Sequence, residues 1–184
     1  LRRQRQMCIR DRRMIGKCGT TEDVVRAVCI ARQRGLHPFV YAIYGLPGED
    51  EASVLETIRV LRDIERAGVE RIILYAFQPL PGSAFADFPR ASSRDRLGRL
   101  LKKEVEALNR ARKKQYVGNV IRGIAAEPSL THKGFTMVYP LGEGPIMTVP
   151  GGYSAGTIVN VRITEVLSAG LLLGEVVHEA TGSH

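Results

Sequence analysis

With 184 residues, 44% of them hydrophobic and 25% charged, the chain has room for one globular domain or two small ones. That composition excludes a disordered, collagen-like or disulfide-built protein, and no apolar run reaches the roughly 20 residues that span a bilayer. Three cysteines, Cys8, Cys18 and Cys29, match the spacing of neither a zinc ribbon nor a CxxC redox pair, so a reducing, cytoplasmic setting is the expectation.

The net charge of +8 sits in two blocks. Residues 1–17 carry seven Lys/Arg against one acid, and residues 90–122 carry eleven against three. The stretches 18–89 and 123–184 are each net acidic by three charges. A basic segment in the middle is a sharper clue to a polyanionic partner than the total charge.

In chain order, residues 1–15 read as a non-native or disordered basic leader. Gln6-Met7-Cys8-Ile9-Arg10-Asp11-Arg12 resembles the translation of a transposase-adapter end; a genuine basic arm is the alternative. Thr20 followed by Asp23 starts a helix whose apolar positions are Val24, Ala27, Val28 and Ala31, and Gly35 stops it. Phe39-Val40-Tyr41-Ala42-Ile43-Tyr44 has strand length. Acids at 49–51 then open a second helix with Val54, Leu55, Ile58, Leu61 and Ile64 inside, ended by Gly68. Arg71-Ile72-Ile73-Leu74-Tyr75-Ala76-Phe77 is a second apolar run. Two such runs joined by a helix predict buried parallel strands of a βαβ unit, but two strands can neither close a (β/α) barrel nor bury both faces of a sheet.

A loop over 78–90 precedes a long basic helix over 91–116, capped by Ser92 or Ser93. Beyond Tyr116, short Val/Ile/Thr-rich stretches at 117–124, 134–139, 145–149, 157–165 and 171–177 alternate with Gly and Pro. They predict a small five-stranded antiparallel β-barrel over 117–178, followed by a tail at 179–184. The fold class is therefore α/β followed by all-β.

The sharpest motif is Gly45-Leu46-Pro47-Gly48-Glu49, at the carboxyl end of a predicted parallel strand, where ligands bind in such folds. Taken alone it is a plain strand-to-helix turn, and it lacks the GK[ST] of a phosphate loop. With Gly19-Thr20-Thr21-Glu22-Asp23 and Phe77-Gln78-Pro79-Leu80-Pro81-Gly82-Ser83, it makes residues 16–90 resemble the C-terminal part of a radical S-adenosylmethionine (SAM) core. The resemblance implies that Ile43, with Gly45 beside it, packs on the SAM adenine, and that Phe77, Gln78 and Pro79 complete the adenine site. Residues 117–178 resemble a TRAM domain through Val161-Arg162-Ile163-Thr164 and Leu173-Gly174-Glu175-Val176-Val177. Core, basic helix and TRAM/OB-like barrel in that order resemble the layout of enzymes that add methylthio groups to transfer RNA. Cobalamin-type radical SAM proteins share the turn sequence.

The resemblance implies SAM and a 4Fe-4S cluster in a full-length enzyme. The family's CxxxCxxC, whose thiolates hold the cluster, is absent from this chain, so neither cofactor is expected to bind it stably. The chain then reads as an inactive C-terminal fragment whose N-terminal part is missing. RNA contact is expected at Arg110, Arg112, Lys113 and Lys114, and at the barrel cations Arg122, Lys133 and Arg162. Phe135 and Tyr139 are either stacking groups or core, and His132 is either a contact or an exposed loop residue. Two other readings stay open: a stand-alone RNA-binding TRAM module, and a radical SAM enzyme acting on a small molecule.

Overall fold

The computed structural model describes residues 19–92 and 95–177. The leader expected at 1–15, the tail expected at 179–184, Cys8 and Cys18 lie outside the described residues. The chain divides into two compact units, one ending at Leu108 and the other starting at Asn109.

The first unit contains α1 (Thr21–Gln33), β1 (Phe39–Tyr44), α2 (Glu51–Arg66), β2 (Arg71–Ala76) and most of α3 (Arg96–Lys113). Local chemistry sets the boundaries. Thr20 and Asp23 form a reciprocal capping box at the start of α1, as Asp50 and Ser53 do for α2. Gly35 N–H donates to Arg32 O at 3.0 Å and Leu36 N–H to Ala31 O at 2.9 Å, the two bonds that close a helix through a left-handed glycine. Gly68 and Val69 end α2 in the same way, bonding Glu65 O and Ile64 O. The start of α3 corrects the expectation of a serine cap: Asp95 accepts from Gly98 N–H at 2.8 Å, and Ser93 lies outside the described residues.

β1 and β2 pair in parallel, from Phe39 opposite Arg71 to Tyr44 opposite Ala76. Strand alternation divides the two faces. Val40, Ala42, Tyr44, Ile72, Leu74 and Ala76 join one core with Val54, Ile58, Leu61 and Ile64 of α2 and Leu101 and Val105 of α3. On the other face Tyr41 is 59% and Tyr75 53% exposed, although their rings stack at 6.0 Å. As expected of two strands alone, only one face is buried: the described helices cover one side, and Phe39, Tyr41, Ile43 and Tyr75 stand on the open one.

In the second unit a 3-10 turn (Lys114–Tyr116) follows α3, then β3 (Val120–Pro128), β4 (Phe135–Pro140), β5 (Ile146–Pro150), β6 (Ile158–Ser168) and β7 (Leu171–Val177). The strands close in the order β3-β4-β5-β7-β6 around Val138, Met147, Val149, Val161, Ile163 and Leu172. The expected all-antiparallel pairing is corrected, because β5 and β7 run parallel. Parity requires it: five strands in a closed ring cannot alternate direction all the way round.

Candidate functional site

The carboxyl ends of β1 and β2 carry the two motif turns. Gly45 has φ +76°, and its N–H donates to a Glu49 carboxylate oxygen at 2.6 Å. Glu49 N–H in turn reaches Leu46 O at 3.0 Å, so the glutamate ties the turn to itself. Phe77 N–H bonds Tyr44 O at 2.8 Å and Ala91 N–H bonds Phe77 O at 3.1 Å, bringing the returning chain alongside. A β-carbon at position 45 would collide with the Ala91 methyl. The close approach that glycine permits here is thus made by the chain itself. Between the turn and this returning segment lies a cavity of about 260 Å³, lined by Pro47, Glu49, Phe88, Arg90, Ser92 and Asp95.

The five residues that the resemblance assigned to adenine differ in exposure. Ile43 stands on the open sheet face, 37% exposed, with Tyr75 as its register partner. Phe77 is buried, edge-on to Phe85 at 6.1 Å, and Phe85 packs against Phe88 at 5.8 Å. Gln78 is exposed and accepts a 3.0 Å hydrogen bond from Arg90. Pro79 is half-buried in the loop. Tyr41 and Tyr75 were missed by sequence reasoning; period-two alternation from Ile43 would have found Tyr41, while Tyr75 follows only from the register of the two strands. An open apolar face with two stacked phenols fits a flat heteroaromatic ring. The spacing of the chain's three cysteines does not fit the three-thiolate loop of an iron–sulfur cluster.

The cations expected as one RNA surface are placed differently from one another. Arg110 donates to Leu167 O at 3.0 Å and to Val166 O at 3.2 Å, clamping the end of β6. Lys113 is only 4% exposed, its Nζ 5.5 Å from the centre of the Tyr116 ring. Arg112 is half-buried, and Lys114 is exposed. Consecutive helical residues are about 100° apart around the axis, so a basic run cannot present all its members on one side. On the barrel, Arg122 and Arg162 are exposed and diagonal to each other, since Val120 pairs with Arg162 and Arg122 with Asn160. Lys133 is exposed in the β3–β4 turn, where the His132 and half-buried Phe135 rings lie 5.8 Å apart. Tyr139 donates to Glu127 at 2.8 Å, and this bond to a carboxylate holds its phenol above the usual range.

No family model matches the chain. It is 36% identical over 168 residues to an uncharacterized protein of Methanopyrus kandleri, covering 90% of this chain and 32% of the relative. A second uncharacterized protein, from Methanocaldococcus jannaschii, is 33% identical over 140 residues, or 76% of this chain and 27% of the relative. The tRNA-2-methylthio-N(6)-dimethylallyladenosine synthase of Chlorobium chlorochromatii is 30% identical over 141 residues, 72% of this chain and 30% of the synthase. The chain thus spans less than a third of the length of each of these relatives. Each match is longer than either compact unit, so each takes in parts of both. Among the described residues no helix is long and apolar enough to cross a membrane. The chain is a distant relative, over part of its length, of a tRNA methylthio synthase, which agrees with the radical SAM resemblance of its turn motifs.

Proposed function

We propose that this chain is the C-terminal part of a longer radical SAM enzyme that modifies RNA, with a TRAM-like barrel as its RNA-binding module. The partial similarity to a tRNA methylthio synthase, reaching into both compact units, carries the reading. The open face of the two-stranded sheet supports it. A parallel pair with Phe39, Tyr41, Ile43 and Tyr75 in solvent calls for further strands or a ligand over that face.

In the whole enzyme the cluster and SAM supply the radical chemistry, and thiolates outside this chain hold the iron. The residues here bind and orient. Ile43 offers an apolar wall for the adenine, next to Tyr41 and Tyr75 on the same open face. Gly45 and Glu49 hold the turn beside it, and Phe77, Gln78 and Pro79 shape the rim. RNA contact falls on the exposed cations Lys114, Arg122, Lys133 and Arg162, while Arg110, Arg112 and Lys113 serve mainly to build the helix end.

Anaerobic reconstitution with iron and sulfide tests the cofactor half. The complete reading frame is expected to gain thiolate–iron absorbance and to cleave SAM, and the 184-residue chain alone to do neither. A stable four-iron cluster with SAM cleavage on this chain alone overturns it. A complete frame without CxxxCxxC moves the stand-alone RNA-binding module ahead. The RNA half is tested by salt titration of RNA affinity. Replacing Lys114, Arg122 and Arg162 by alanine should flatten the salt slope by about 0.7 for each phosphate no longer neutralised. An unchanged slope in that variant moves the small-molecule enzyme ahead.

A further inference from the structure

The turn between β3 and β4 is built to hold one apolar side chain in solvent. Leu130 is fully exposed, the extreme among the large hydrophobic residues described. Its surroundings are ordered by short-range bonds. Ser129 N–H donates to Phe135 O at 2.8 Å, His132 N–H to Ser129 Oγ at 3.2 Å and Phe135 N–H to His132 O at 3.1 Å. Thr131 Oγ1 lies 2.9 Å from His132 Nδ1, and the His132 ring rests against Phe135. A leucine held in solvent on a pinned turn keeps its whole apolar surface available for contact, and covering that surface is favourable.

Charge selects the kind of occupant. Within a barrel that is net acidic overall, the segment 129–135 contains Lys133 and His132 and no acid. Glu127, two residues before the turn, accepts from Tyr139 through one carboxylate oxygen. An exposed leucine and an exposed lysine three residues apart in one short turn match an unstacked nucleobase next to its own phosphate. Paired bases in an A-form helix keep their faces stacked inside and offer the tip nothing.

We propose that the β3–β4 turn is a contact for unpaired RNA, in which Leu130 packs on the face of one unstacked base and Lys133 meets an adjoining phosphate. The inference rests on the RNA-binding reading above and adds to it a preference for single-stranded loops over duplex. Leu130 supplies discrimination without charge, and Lys133 supplies affinity that salt removes.

The test measures binding of the full 184-residue chain to two RNA probes, a hairpin with a single-stranded loop and a fully paired duplex of equal length, across a salt series. Leu130→Asn should weaken hairpin binding by up to about fivefold, the low end of what an aromatic–base stack contributes and so an upper bound for an aliphatic contact. Duplex binding and the salt slope should not move in that variant. Leu130→Phe should restore or exceed the parent's preference for the hairpin, which separates stacking from any change in folding. Lys133→Ala should lower the salt slope by about 0.7. If the parent binds hairpin RNA and Leu130→Asn binds it equally well, the tip proposal is overturned while the RNA reading stands. If the parent binds neither probe, both are overturned.

Discussion

Gly45 lies so close to Ala91 that a side chain at 45 would overlap the alanine methyl, and its backbone holds φ +76°. Both features sit in the motif turn, but they serve different needs. The positive φ turns the chain from β1 toward α2, and the missing β-carbon admits the segment that returns after the 78–90 loop.

Gly45→Ala is therefore expected to destabilise the first unit by about 2–5 kcal/mol. Left-handed backbone contributes about 1–2 kcal/mol for an L-residue, and overpacking against Ala91 adds about 1–3 kcal/mol. Ala91→Gly should recover only the overpacking part. Denaturant unfolding of the three variants measures this, and full recovery in the double variant would show that φ carries no cost.

Gly98 inverts the usual rule for helices. Alanine in a helix interior is favoured over glycine by about 1 kcal/mol. A β-carbon at 98, however, would sit 2.6 Å from the Tyr44 ring, which is buried beneath α3 with Lys102 Nζ 4.9 Å from its centre. Overpacking of about 1–3 kcal/mol outweighs the propensity, so Gly98→Ala should lower the melting temperature. In a Tyr44→Leu background the same change should raise it. A gain in the parent background would show that the ring moves aside freely.

Arg110 and Lys114, four residues apart, should separate stability from RNA binding. Losing the bonds from a charged guanidinium to the carbonyls of Val166 and Leu167 should cost about 1.5–3 kcal/mol in Arg110→Ala. Lys114→Ala, at an exposed position, should stay within about 0.5 kcal/mol of the parent. RNA affinity should fall in Lys114→Ala and not in an Arg110→Ala protein kept folded at low temperature. The reverse pattern in unfolding and binding assays would return Arg110 to the RNA surface.

Tyr139 should titrate above an ordinary phenol because its hydroxyl donates to the Glu127 carboxylate. The raised value favours the neutral phenol in the folded state. The stabilisation is thus complete below the ordinary value of about 10 and is lost as pH rises through the folded-state value. Glu127→Gln should bring the Tyr139 titration back down. Phenolate absorbance referenced to Tyr139→Phe reports it, and a parent titrating at the ordinary value would contradict the bond.

Much of the first unit was legible because its signals are local. Thr20 with Asp23, the acids at 49–51, and Gly35 and Gly68 each act within one helical turn, so the sequence alone determined where α1 and α2 begin or end. The continuous apolar run from Phe39 to Tyr44 was equally plain as a strand, and five later strands followed from their Gly and Pro boundaries. Only the tertiary structure decided which face of β1 the helices cover, because that depends on where α2 and α3 pack and not on the strand's own residues. The same holds for the cations. Arg110, Arg112, Lys113 and Lys114 are equivalent in sequence, yet contact with β6 and Tyr116 withdraws Arg110 and Lys113 while Lys114 keeps its solvent. The need for glycine at 45 was likewise hidden, because the atom that a β-carbon there would meet belongs to Ala91, 46 positions on. Charge and propensity belong to single residues, but burial belongs to pairs brought together from far along the chain, and that is where sequence and structure part.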